Sequence, residues 1–169
     1  KRMADEGRFG EIYFAEGEYL HDCRDLWLDE TGKPTWRGEP GATPGYGVYC
    51  THSLGPVLYV LDDRVIQVSA LANETARIVA ERPGVFNFLM LMRTAKGCTV
   101  KVRIDTVSPR PHQTAYYSLQ GNRGCYESWR GVGDAPRVWL AEAHEESHCF
   151  AGASWHPLAD FSQAYIADR

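Results

Sequence analysis

The sequence predicts an α+β domain: an open-faced, largely antiparallel sheet with helices on one face. Three observations carry this. Helical patterns fall at the beginning, middle and end of the chain, strand-like runs crowd its second half, and those runs are joined by short turns. Consecutive strands linked by tight turns pair antiparallel, and helices kept apart from them must pack on a face of the sheet.

In chain order, the first residues read as the last turn of a helix. "GEIYFAEGEYLHD", residues 10–22, is rich in aromatic and branched residues and reads as a strand. A Pro- and Gly-rich loop of about twenty-five residues follows, and loops of that length inside a domain are commonly functional. "YCTHSLGPVLYVLDD" opens the middle helix, with Pro56 placed in its first turn, where a missing N–H costs nothing. "RVIQVSALA" is a strand and "NETARIVAERPG" a connection with helical character. "VFNFLMLMRTAKGCTVKVRIDTVS" predicts two strands around a "TAKG" turn, and "QTAYYSLQGNRGCYESWR" a second hairpin at "GNRG". "RVWLAE" adds a strand, and "HPLADFSQAYIADR" predicts a closing helix with Pro157 near its start. "FNFLMLM" is apolar on both sides, so the second sheet face is expected to be covered by a missing domain or a second copy.

Composition limits the function classes. At 169 residues the chain holds one good-sized domain, and 44% hydrophobic with 24% charged residues is ordinary globular usage. A formal charge of −4 argues against a phosphate-backbone binder, so no nucleic-acid partner is expected. No apolar run approaches the ~20 residues that span a bilayer, so no membrane partner is expected, and the polar "KRMADEGRFG" start has no signal-peptide core. Five cysteines at 23, 50, 98, 125 and 149 include no C-x-x-C pair, which points to a reducing, cytoplasmic setting without zinc or disulfides. His144 and His148 sit four apart in "HEESHC", but the H-E-x-x-H order is absent, and no metal is expected. No G-x-G-x-x-G follows a strand, so the chain carries no dinucleotide fingerprint. The start at Lys1, without Met, reads as a piece cut from a longer protein.

The candidate chemistry gathers in the first third. Tyr19 and His21 alternate along a strand and share a face. Tyr49 and His52 lie just ahead of the middle helix, and Trp36 and Arg37 sit in the loop between the two pairs. If strand and helix are neighbours, as sequential elements usually are, these groups converge. Tyr and His exchange hydrogen bonds with hydroxyls, Trp offers an apolar face and Arg a fixed fork of donors, a set suited to a sugar or polyol. Near the positive end of the helix, His52 is expected to favour its neutral, proton-accepting form. The alternative is that these are core or interface aromatics with ordinary partners. Arg110 and His112 in "SPRPHQ" are secondary candidates, while His144 and His156 read as surface groups.

Three segments make the sequence familiar: "GRFGEIYFAEGEYLHD", "TWR" with "YCTHSLGPVLYVL", and "MRTAKGCTVKVRIDTVSPRPHQTAYYSLQGNRGCYESW". Across about residues 7–130 the chain resembles the C-terminal domain of the glucose-fructose oxidoreductase / inositol dehydrogenase / MocA family. The resemblance implies that residues 1–169 form the substrate-binding and oligomerisation domain of a longer enzyme. Its N-terminal Rossmann domain, absent here, would bind NAD or NADP, and this chain alone would bind neither. Many members carry an Asp four residues before the site His; no acidic residue stands at that spacing before His52. Tyr-x-Thr-His-x-Leu-Gly-Pro is more similar to the NAD-dependent glycosidase branch, typified by α-N-acetylgalactosaminidases, with Ser53 where that branch usually has Gly. By that likeness Tyr19, His21, Trp36, Arg37, Tyr49 and His52 would line the sugar site. Oxidation at C3 of the sugar would acidify the C2 proton, a base would remove it, and elimination, hydration and hydride return would follow. His52 and Tyr19 are the candidates for acid–base catalysis, and His21, Trp36, Arg37 and Tyr49 for substrate binding. The sheet is expected to join copies into a homo-oligomer. The competing expectation is a parent that has lost catalysis, in which this domain only assembles or binds a partner.

Overall fold

The computed structural model describes residues 1–39, 50–73, 85–111, 115–141 and 154–161. Its centre is an eight-stranded sheet built from β1 (Ile12–Leu20), β2 (Val65–Asn73), β3 (Asn87–Thr94), β4 (Thr99–Asp105), β5 (Ala115–Gly121), β6 (Gly124–Glu127), β7 (Arg137–Leu140) and β8 (His156–Pro157). The strand order is β2-β3-β4-β1-β5-β6-β7-β8. β1 lies parallel to β4 and every other pairing is antiparallel, so the sheet is mixed but largely antiparallel as expected. The parallel pair exists because the connection from β4 to β5 steps over β1, an order no local pattern reveals.

Alternation sets the faces. "TVKVRID" in β4 puts Val100, Val102 and Ile104 inward, fully buried, and Thr99, Lys101 and Arg103 on the other side. In register on the same inner face stand Ala15, Gly17 and Tyr19 of β1 and Tyr117 and Leu119 of β5. Helix α2 (Thr51–Leu61) covers them, burying Ser53 and Val57. A second small core joins Met3 of the one-turn helix α1 (Arg2–Asp5) and Phe9 to Val138 and Leu140 of β7.

The local readings need two corrections. Pro56 is not in the first turn of α2: the helix starts a turn earlier, at Thr51, with Cys50 as its N-cap and Pro56 inside. His52 therefore belongs to the first turn itself. At the other end, His156–Pro157 pair with β7 as a short strand, and helical residues begin only after them. Both turns are as expected: Gly97 has a positive φ between β3 and β4, and Asn122–Arg123 link β5 to β6. The connection at 74–84 and the rest of the closing helix lie outside the described residues.

The opposite sheet face is a mosaic. Lys101 pairs with Glu16 at 2.5 Å, Arg130 with Glu18 at 3.4 Å, and Arg137 with Glu127 at 2.6 Å. On this face apolar exposure gathers on β2 and β3, where Leu71 and Leu91, in line with Arg103 and Lys101, are both more than half exposed. Among the described residues, no helix is long and apolar enough to cross a membrane.

Candidate active site

Gly17 governs how α2 meets β1. With no side chain there, the first turn of α2 settles onto the strand, and the Ser53 carbonyl occupies the space a Cβ would need. One residue earlier in the helix and two residues later in the strand, His52 and Tyr19 come face to face. Their rings stack with centroids 5.1 Å apart and an interplanar angle of 20°. Tyr19 is buried and His52 exposed, so the pair runs from the core to the surface at the mouth of the helix.

His21 continues the same strand face. Its ring meets Tyr19 edge-on at 5.9 Å, and its Nδ1 lies 3.4 Å from both the Tyr19 hydroxyl and the Cys23 sulfur. The chain stays extended here because His21 and Cys23 donate their backbone N–H groups to Asp105 and Thr106, prolonging the β1–β4 pairing. Tyr19, His21 and Cys23 thus form an i, i+2, i+4 row. Burial pushes the Cys23 thiol up to about 11, against the nearby Arg37 charge, so it stays protonated at neutral pH. Asp22 points away from this row, and two hydrogen bonds from Arg24, at 2.8 and 2.5 Å, hold its carboxyl below the usual range.

The loop after β1 is ordered as far as it is described. Thr35 donates its hydroxyl to the Leu26 carbonyl at 2.6 Å, and Asp29 organises a turn through Thr31 and Lys33. That fold-back brings Arg37 near Cys23 and lays its guanidinium over the half-exposed Trp36 ring at 4.1 Å. Five of the six sequence-derived candidates are therefore placed. Tyr19, His21 and His52 form one cluster, Arg37 borders it through Cys23, and Trp36 stacks on Arg37 from outside. Tyr49 lies outside the described residues, as do His112, His144 and His148. Arg110 is on the other side of the sheet, lining a shallow hollow with Glu18, Leu20, Tyr116 and Arg130. Among the described residues no group of three metal-ligating side chains converges.

Sequence reasoning passed over Cys23, although its even spacing from Tyr19 and His21 was the available signal. It also passed over Gly17, whose position inside a strand signals a close approach, and Tyr117, whose part is visible only once β5 pairs with β1.

The family profile described as GFO/IDH/MocA C-terminal domain matches residues 1–127, three quarters of the chain. The chain belongs to this family. It is 31% identical, over 69% of its length, to a glycosyl hydrolase family 109 protein of Porphyromonas gingivalis, covering 28% of that protein. A glycosyl hydrolase family 109 protein of Saccharopolyspora erythraea is 26% identical over 95% of the chain, which spans 37% of it. Among solved structures, an inositol dehydrogenase homolog from Azotobacter vinelandii complexed with NAD+ matches with a TM-score of 0.67 and 20% identity. It covers 92% of this chain and 38% of that one. A levoglucosan dehydrogenase in complex with NADH and L-sorbose matches with a TM-score of 0.69 and 18% identity, over 93% and 42% of the two chains. These two likenesses establish the fold. The chain thus spans roughly a quarter to two-fifths of the length of the proteins it resembles.

Proposed function

We propose that this chain is the substrate-binding domain of an NAD(P)-dependent enzyme that acts on a sugar or polyol, with redox-assisted glycoside cleavage as the favoured reaction. The observation that carries this is the Tyr19–His52 stack at the mouth of α2, with His21 against the Tyr19 hydroxyl. The family supports the oxidoreductase setting, and the likeness to glycosyl hydrolase family 109 proteins supports the glycosidase reading.

The described residues of this chain do not fit a dinucleotide: none of them forms a glycine-rich turn between a strand and a helix, and the mouth of α2 is filled by the His52 and Tyr19 rings. NAD or NADP would be held by residues outside this chain. What these residues can do is handle hydroxyls and protons. His52, exposed at the helix mouth, is placed to take a proton from the sugar. Tyr19, buried beside it and in contact with His21, is placed to return one. His21 and Arg37 offer hydrogen bonds to neighbouring hydroxyls, and Trp36 an apolar surface for the ring.

The full-length protein with added NAD, assayed on glycosides and free polyols, tests this. Release of the aglycone without lasting NADH accumulation is the expected result. Steady NADH accumulation on free polyols would mean a simple dehydrogenase. Failure to turn over any of these substrates would favour the non-catalytic reading, which the missing acidic residue before His52 supports.

A further inference from the structure

We propose that Tyr117 is a positioning residue for His52, replacing from outside the helix a hydrogen bond that Pro56 removes. This rests on the proton-transfer role given to His52 above. In an α-helix the carbonyl of residue i accepts from the N–H of residue i+4. Four residues after His52 stands Pro56, which lies inside α2, has no N–H and presses its ring toward that carbonyl. The His52 carbonyl is thus denied its helical donor in the turn that carries the candidate catalytic ring.

The sheet supplies the substitute. Tyr117 of β5 lies in register with Gly17 of β1, on the face that α2 covers. Because Gly17 has no side chain, the first turn sits low enough for a phenol from the next strand to reach its backbone. The Tyr117 hydroxyl donates to the His52 carbonyl. Burial pushes the Tyr117 hydroxyl above its ordinary titration range, so the donor keeps its proton. Tyr117 itself is anchored, since its backbone N–H donates to the Ser128 hydroxyl at 2.9 Å. A helix turn with one missing internal bond is thereby fixed to the sheet at the residue whose ring stacks on Tyr19.

The test is a cycle in the full-length protein: Tyr117→Phe, Pro56→Ala and the two combined. Tyr117→Phe removes the donor that the sheet supplies to the His52 carbonyl, so kcat should fall about tenfold or more with KM little changed, as expected when a catalytic ring is misplaced. The His52 ring resonances should shift with it. Pro56→Ala restores an N–H four residues on, so the combined variant should recover most of kcat and the wild-type His52 resonances. Rescue of this kind separates positioning from general packing, because Pro56→Ala cannot refill the space of a lost hydroxyl. The proposal is overturned if the combined variant stays as impaired as Tyr117→Phe, or if Tyr117→Phe lowers only the melting temperature. Should the wild-type protein turn over no sugar, the functional reading fails. The His52 resonances across the same cycle still decide whether Tyr117 holds that turn.

Discussion

Replacing Gly17 with alanine should drive α2 off β1. An added Cβ would stand 2.9 Å from the Ser53 carbonyl carbon and closer still to its oxygen. Ordinary carbon–carbon contact is about 3.5–4.0 Å, so the helix must retreat by at least about 0.6 Å, and the neighbour is backbone that cannot rotate aside. Overpacking of this kind costs about 1–3 kcal/mol, offset by about 0.4–1 kcal/mol because alanine restricts the unfolded chain. The difference spans about 0–2.6 kcal/mol, and the still closer approach to the Ser53 carbonyl oxygen puts the expected loss in the upper half of that range, above about 1 kcal/mol. Denaturant melting of Gly17→Ala against the wild-type full-length protein reads this loss. Equal or higher stability for Gly17→Ala would refute the close helix–strand approach, and with it the cause given for the Tyr19–His52 stack.

His52→Ala should cut turnover by about 10²-fold or more while leaving the melting temperature nearly unchanged, the usual scale for a lost acid–base group; normal turnover with a lower melting temperature would make His52 structural. Burial raises the thiols of both Cys23 and Cys98 to about 11 from an ordinary value of 9.0. The unfolded chain then loses these protons first, so their contribution is complete below about pH 9 and disappears as pH rises through about 11. Denaturant midpoints across that window should fall, and should fall less steeply in Cys23→Ala. On the open sheet face, Leu91 is 51% exposed beside Lys101, and a second copy is expected to cover it. Sedimentation of the full-length protein should show an oligomer that Leu91→Asp weakens, and a well-behaved monomer would remove that expectation.

Much of the architecture was legible because period-two alternation is local. β4 and the two hairpins follow from "TVKVRID", "TAKG" and "GNRG" without reference to the rest of the chain. The parallel β1–β4 pairing was not legible, because it depends on which strand steps over which. The start of α2 was misplaced because Pro is favoured in a first turn, whereas here Tyr117 satisfies the carbonyl that an interior Pro56 strands. The site was partly legible for the same reason as the strands: Tyr19 and His21 share a face by spacing alone. His52 joined them through the neighbour rule for sequential elements. Cys23 and Tyr117 escaped notice because their contacts depend on pairing partners more than eighty residues away or on backbone extension past the end of β1.

The most direct test of the central claim is the structure of the full-length protein with its cofactor and a reactive sugar bound. The sugar should lie on the helix-covered side of the sheet, with hydroxyls in hydrogen-bond reach of the Tyr19 hydroxyl and the His52 ring and with Arg37 at its border. A sugar bound on the opposite face, or one held entirely by other residues while His52 makes no contact with it, would contradict it.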